Sequence, residues 1–196
     1  MALFRPDFND LPGAELTGKA VILRHPRLDN YDDWARLRAL SRDFLIPWEP
    51  QWTHDELTRS AFKRRLRRYA EDRQNGRGFA FFVYRNSDDR LVGGCNISNV
   101  RRGVAQSASL GYWIGKPFAR QGLTSAAVDA ACRFAFDELR LHRVEAACIP
   151  DNTPSRQLLK RAGFCEEGLA RKYLKIHGEW RDHVTLARLQ SDTEAL

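Results

Sequence analysis

Lys19 to Arg24 alternates along a β-rich stretch, a period of two that predicts a strand. Asp29 then stands as a cap before an apolar-periodic run through Trp34, Leu37 and Leu40, so a helix follows. Phe44 to Trp52 holds Pro47, Pro50 and two tryptophans, a composition that breaks helix but packs as an ordered loop. Thr53 caps a longer predicted helix, with Leu57, Ala61, Leu66 and Tyr69 on one face, ending near Gly76.

From there the period shortens again. Phe79 to Arg85 and Leu91 to Asn99 read as an antiparallel hairpin around Asn86-Ser87-Asp88-Asp89, and a turn at Arg101-Arg102-Gly103 leads into Ala105 to Ile114. Leu123, Ala126, Ala130 and Phe134 recur at helical spacing. Arg143 to Ile149 reads as a buried strand, and Asn152 opens a helix closed by Gly163. Phe164 to Lys175 and Glu179 to Arg188 form two last strands around His177-Gly178. The predicted order βααβββαβαββ, without a repeat or linker, describes one α+β domain over residues 1–196, with 1–18 as an extended N-terminal arm.

Composition agrees with a globule. The 196 residues are 43% hydrophobic and 29% charged, enough for one sizeable core. Thirty-two Lys+Arg against 25 Asp+Glu give +7, which favours an anionic partner without choosing among a phosphorylated cofactor, RNA and acidic protein. No apolar run approaches the roughly 20 residues of a membrane-spanning helix. The first 16 residues carry four charges and two prolines rather than a secretory signal, so a cytoplasmic protein is expected. Cys95, Cys132, Cys148 and Cys165 stand apart among strand-like neighbours and read as reduced thiols, and the five histidines show no metal-ligand spacing.

Two strand-to-helix junctions are candidates for chemistry. Gly115-Lys116-Pro117-Phe118-Ala119-Arg120-Gln121-Gly122-Leu123-Thr124 precedes an Ala-rich helix, whose first N–H groups lack intrahelical partners and attract an anion such as pyrophosphate. Taken alone, the glycine has simple chain reversal as its plain reading. Neither a Walker lysine nor a GxGxxG pattern is present, which argues against a nucleotide-hydrolysing P-loop and a Rossmann site. Pro150-Asp151-Asn152-Thr153-Pro154-Ser155 is the second junction, with helix capping as its plain reading.

Taken in order, Gly111-Tyr112-Trp113-Ile114, the loop around Gly122, Asn152-x-x-Ser155 and Leu159-x-x-x-Gly163-Phe164 resemble the successive cofactor-binding motifs of the GNAT acetyltransferase superfamily. Within it, Phe44-Leu45-x-Pro47-Trp48-Glu49-Pro50 and Tyr173-Leu174-x-x-x-Gly178-x-Trp180-Arg181-Asp182-His183 resemble the RimJ type of ribosomal-protein alanine N-acetyltransferase. The resemblance implies a strongly bent mixed sheet flanked by helices, whose fourth and fifth strands splay to admit acetyl-CoA. It implies cofactor binding by Trp113, Ile114, Arg120, Gln121, Gly122, Leu123, Thr124, Ser125, Asn152 and Ser155. Two positions depart from the pattern. The loop begins and ends on Ala119 and Thr124, and Ser109 stands where many relatives place a glutamate base on the fourth strand.

Ionisation limits how much that missing base matters. An α-amine with a pKa of about 7.7 to 8.0 is up to about a third neutral near pH 7.4, whereas a lysine amine at about 10.4 is only about 0.1% neutral, a deficit of roughly 4 kcal/mol. The site therefore suits an N-terminal amine, and the resemblance implies the N-terminal alanine of a ribosomal protein. Ser155 is the candidate acid, with a structural role in its helix as the alternative. Glu49 and Asp182 are candidate bases that could instead grip the ammonium group or form local ion pairs. Trp48, Glu49, Tyr112, Tyr173 and Trp180 are expected to frame the acceptor. Lys63, Arg64, Arg65, Arg67 and Arg68 form either a solvated helix face or a contact to ribosomal RNA. Two other functions stay open: a small-molecule amine acetyltransferase, and an RNA-binding assembly factor that keeps acetyl-CoA binding as a relic.

Overall fold

The computed structural model describes residues 15–193. Of the expected N-terminal arm, residues 1–14 lie outside the described residues, while Leu16–Thr17 (β1) pairs with Val21–Arg24 (β2). The chain continues through α1 (Tyr31–Leu40), a short α2 (Arg42–Leu45) and α3 (Arg59–Gln74). It then forms β3 (Phe79–Arg85), β4 (Arg90–Arg101), β5 (Ser107–Ile114) and α4 (Leu123–Arg133), the last running into a π-helical turn over Phe134–Glu138. After β6 (Arg143–Cys148) and α5 (Thr153–Arg161), the hairpin of β7 (Cys165–Ile176) and β8 (Glu179–Leu189) completes the fold.

Among the described residues, eight strands form one mixed sheet in the order β1-β2-β3-β4-β5-β6-β8-β7. β3 shows why both faces need cover. Its run Phe79 to Tyr84 is buried throughout, as expected for a strand with helices on either side. Phe79 and Phe81 meet Phe134 edge-on, whereas Phe82, the next residue along and so on the opposite face, meets Phe62 of α3. Phe62 also packs on Trp34 of α1 at 4.8 Å between ring centroids, so one core joins the helical layers through the sheet.

All neighbouring strands are antiparallel except β5 and β6, which pair in parallel at Ser107↔Arg143, Ala108↔Val144 and Ser109↔Glu145 only. Beyond Ser109 the two strands diverge. β5 continues against β4 alone, and Ala146 to Cys148 of β6 continue against β8 alone. This opening is the splay that the family resemblance implies.

The helix starts correct the sequence reading at two places. Thr58, not Thr53, caps the long helix: its Oγ1 accepts from the Ala61 N–H at 3.2 Å. Residues 53–58 instead form turns, because Asp55 and Glu56 turn toward Arg64 and Arg65, nine residues ahead in α3. Asp29 lies in a 3-10 turn, with α1 beginning at Tyr31. The expected loop over 44–52 contains α2 and a 3-10 turn at Ile46–Trp48.

Two glycines supply a contrast that can be tested. A Cβ on Gly93 would drive into the Trp113 carbonyl oxygen across the β4–β5 ladder, a backbone atom that cannot move aside, whereas a Cβ on Gly111 would meet nothing within 4 Å. Gly93→Ala should therefore lower unfolding free energy by about 1–3 kcal/mol. Gly111→Ala should change it by less than about 0.5 kcal/mol. Urea denaturation of both variants checks the difference.

Candidate active site

The site lies where β5 and β6 part. Ile114 leads through Gly115 and a 3-10 turn at Lys116–Phe118 into the loop before α4. Arg120 and Gly122 both adopt positive φ, +62° and +76°, so the loop turns through two left-handed residues into α4. Gly122 is the N-cap of α4 and no side chain caps this end, so the first-turn N–H groups of Leu123, Thr124 and Ser125 face outward without intrahelical partners. A Cβ at Gly122 would meet no protein atom within 4 Å, so the space above the helix end is open. Arg85 Nη1 reaches Gln121 Oε1 at 3.4 Å, and Arg85 and Arg90 both lie over Phe118. These two arginines come from the β3–β4 hairpin, distant in sequence, and no spacing in the chain marks them.

At the other limb, Asn152 caps α5: its Oδ1 accepts the Ser155 N–H at 3.2 Å, and Gly163, with φ +81°, follows the helix end. It is the backbone of Ser155 that completes the cap. Its hydroxyl is free for another task and lies 2.8 Å from the Tyr112 hydroxyl, so this hydrogen bond spans the cleft from β5 to α5. Loss of water around Tyr112 pushes its phenol pKa up, keeping it protonated. Cys148, at the end of β6, is also pushed up, chiefly by burial and less the bond from Ser155. Ser155 thus sits among groups that hold their protons.

The proposed carboxylates are both engaged. Glu49 accepts from Arg38 Nη1 and Nη2 at 2.7 Å each, and from Trp52 Nε1 at 2.8 Å. Asp182 Oδ1 accepts the Lys172 N–H at 2.8 Å, pinning a bulge of β7 in which Lys172 has φ +46°. Of the expected acceptor aromatics, Trp48, Tyr173 and Trp180 are exposed, and Tyr173 stands edge-on to buried His183. The Glu49 carbonyl accepts the His177 N–H at 2.9 Å, which holds the Trp48 segment against the β7–β8 turn that precedes Trp180. Trp113 lies across Gly94 of β4, where a Cβ would collide with its indole nitrogen.

The basic face of α3 is only partly available. Arg64 pairs with Asp55, while Arg65 bonds Glu56 and lies over the Trp34 ring. Arg65 therefore belongs to the packed side rather than the solvated face. Lys63, Arg67 and Arg68 are exposed.

Residues 20–165 match the acetyltransferase (GNAT) domain family. The chain belongs to the GNAT acetyltransferase family. The relatives agree in extent: the Bacillus subtilis protein YjcK, a probable N-acetyltransferase, is 35% identical over 179 residues, 91% of this chain and 99% of its own length. The Escherichia coli ribosomal protein uS5-alanine N-acetyltransferase is 36% identical over 188 residues, 94% of this chain and 95% of its own. Among solved structures, Mycobacterium smegmatis RimJ in complex with CoA-disulfide superposes with a TM-score of 0.83 at 33% identity, covering 88% of this chain and 83% of that one.

This acetyltransferase accordingly uses acetyl-CoA as cosubstrate, and its residues fit that molecule. The uncapped start of α4 and the open space over Gly122 suit a pyrophosphate, and the side of β5 beyond Ser109 that faces away from β4 leaves strand edge for an extended amide chain. Gly122→Val would place a β-branched side chain in that space. Acetyl-CoA affinity should fall at least tenfold, about 1.4 kcal/mol. Unchanged affinity by calorimetry would remove the loop from the binding site.

Proposed function

We propose that this acetyltransferase acetylates a protein α-amine in the cytoplasm, with the N-terminal alanine of a ribosomal protein as acceptor. The observation that carries this reading is the state of the cleft's carboxylates. Glu49 and Asp182 already accept hydrogen bonds from protein donors, and Ser109 occupies the strand position of the family's usual base. A cleft in which Glu49 and Asp182 are both engaged suits an amine that is partly neutral near pH 7.4. Similarity to the uS5-alanine N-acetyltransferase supports the same acceptor class.

When bound, acetyl-CoA supplies the acetyl thioester. The α4 N–H groups balance the pyrophosphate charge, and the free edge of β5 offers N–H donors for orientation and for charge on the acyl oxygen. Ser155 holds a proton on Oγ for the departing sulfur. The Tyr112 hydroxyl lies 2.8 Å from that same oxygen; with Tyr112 as the donor, the serine proton is left for the sulfur and the serine becomes a stronger donor.

Peptides beginning with a free Ala should be acetylated, while the same peptides with a blocked N-terminus and an internal lysine should not. A higher kcat/KM for the blocked peptide or for a polyamine ends the α-amine reading. Ser155→Ala should lower kcat by 10²- to 10⁴-fold, the usual span for acid–base groups, with acetyl-CoA affinity and melting temperature nearly intact. Because Tyr112 acts through Ser155, Tyr112→Phe should slow the native enzyme yet add nothing to Ser155→Ala, a comparison that turnover of the two single variants and the double variant makes directly.

A further inference from the structure

The last turn of α1 touches the β5 limb of the cleft, the start of the cofactor loop and the segment over 46–52. Leu37 packs where a Cβ on Gly115 would stand, and Ser41 Oγ accepts the Lys116 N–H at 2.9 Å, so α1 is fixed to the start of the cofactor loop. Between them, Arg38 is 5% exposed and its guanidinium lies 4.4 Å from the Trp52 ring centre and 5.0 Å from that of Trp113. Both its terminal nitrogens hold Glu49, and Trp52 bonds the same carboxylate. The Glu49 carbonyl, in turn, holds the β7–β8 turn through His177. Residues 46–52 thus form a strap from the β5 limb of the opening to the hairpin on its β6 side, and Arg38 is its anchor.

We propose that Arg38 is a positioning residue for the acceptor. By clamping Glu49 and Trp52 against Trp113 it sets the shape of the acceptor wall, and it consumes the Glu49 carboxylate as a structural anion rather than leaving it as the base. A bidentate guanidinium–carboxylate pair fixes two planes relative to one another, which a lysine point charge cannot do. The inference deepens the proposed acceptor reading and places its specificity in a residue that touches neither substrate.

The test compares Arg38→Lys, Glu49→Gln and the double variant Arg38→Met/Glu49→Leu, in which apolar groups of similar volume replace the pair. Breaking a buried pair from one side costs about 3–5 kcal/mol, whereas replacing both members is often neutral, so the double variant remains folded if a single one does not. Wild-type enzyme is first assayed on the free-Ala peptide, the blocked lysine peptide and a polyamine, and the variants are then assayed on whichever amine it acetylates. A wrong acceptor class therefore shows in the wild-type panel, and the clamp is read from the variant ratios. Each folded variant should raise acceptor KM at least tenfold, keep acetyl-CoA affinity within twofold by calorimetry, and leave the pH profile of kcat in place. An upward shift of the pH optimum with lower kcat in Glu49→Gln alone would make Glu49 the base and overturn the proposal. So would an unchanged acceptor KM in the folded variants, or an equal loss of acetyl-CoA affinity.

Discussion

The parting of β5 from β6 after Ser109 is the constraint on which the site depends. Sheet twist accumulates from strand to strand, and a parallel pair joined through a crossover helix must keep β5 and β6 on one sheet while α4 packs beside them. Here the pairing lasts three residues, and each strand then follows its other neighbour. Backbone N–H and C=O groups on the open side of β5 lose their ladder partners, which is tolerable only where water or a ligand replaces them. The same divergence separates Tyr112 from β6, so its hydroxyl reaches Ser155 across a gap rather than packing against a strand.

Closing such a gap requires something outside the sheet, and the chain uses α1 and the strap over 46–52. The arrangement concentrates cation and ring contacts at Arg38 because a planar guanidinium can stack on two indoles while donating in its own plane. Its charge is matched by Glu49, so the mouth of the cleft presents aromatic surface in place of a free carboxylate. The fate of the other cations follows the same logic. Arg64 and Arg65 bind the turn before α3, and Arg143 links Glu145 with Glu167. A net charge of +7 thus describes a chain whose arginines are largely spent on local geometry.

Local chemistry was legible in the sequence, and long-range pairing was not. The Asn152 cap, the glycine after α5, the hairpins and the doubly buried β3 each rest on residues within a few positions of one another. So does the loop at Gly122, whose φ of +76° suits the residue found there. By contrast, Tyr112 and Ser155 are 43 residues apart, and Ser41 and Lys116 are 75 apart. No period or spacing encodes such meetings. The misplaced cap of α3 has a nearer cause: Thr53 and Thr58 are equally good capping residues, and the choice between them was made by Asp55 and Glu56 reaching forward to arginines.

The two sides of the proposed reaction can be weighed against each other in energy. A general base contributes about 10²- to 10⁴-fold, or roughly 3–5 kcal/mol at 1.36 kcal/mol per factor of ten. The ionisation deficit of a lysine relative to an amine about a third neutral is of similar size, roughly 3–4 kcal/mol. An enzyme that commits its cleft carboxylates to structure forgoes the first quantity and is then restricted to acceptors that do not carry the second. In this chain the commitment is visible at Glu49, whose two oxygens hold Arg38 and Trp52, and at Asp182, which holds the β7 backbone. What the proposed reaction would then draw on is the leaving side, where the Ser155 hydroxyl pairs with a Tyr112 phenol that burial keeps protonated. On the proposed reading, discrimination between α-amine and lysine would follow from what Glu49 and Asp182 are doing elsewhere.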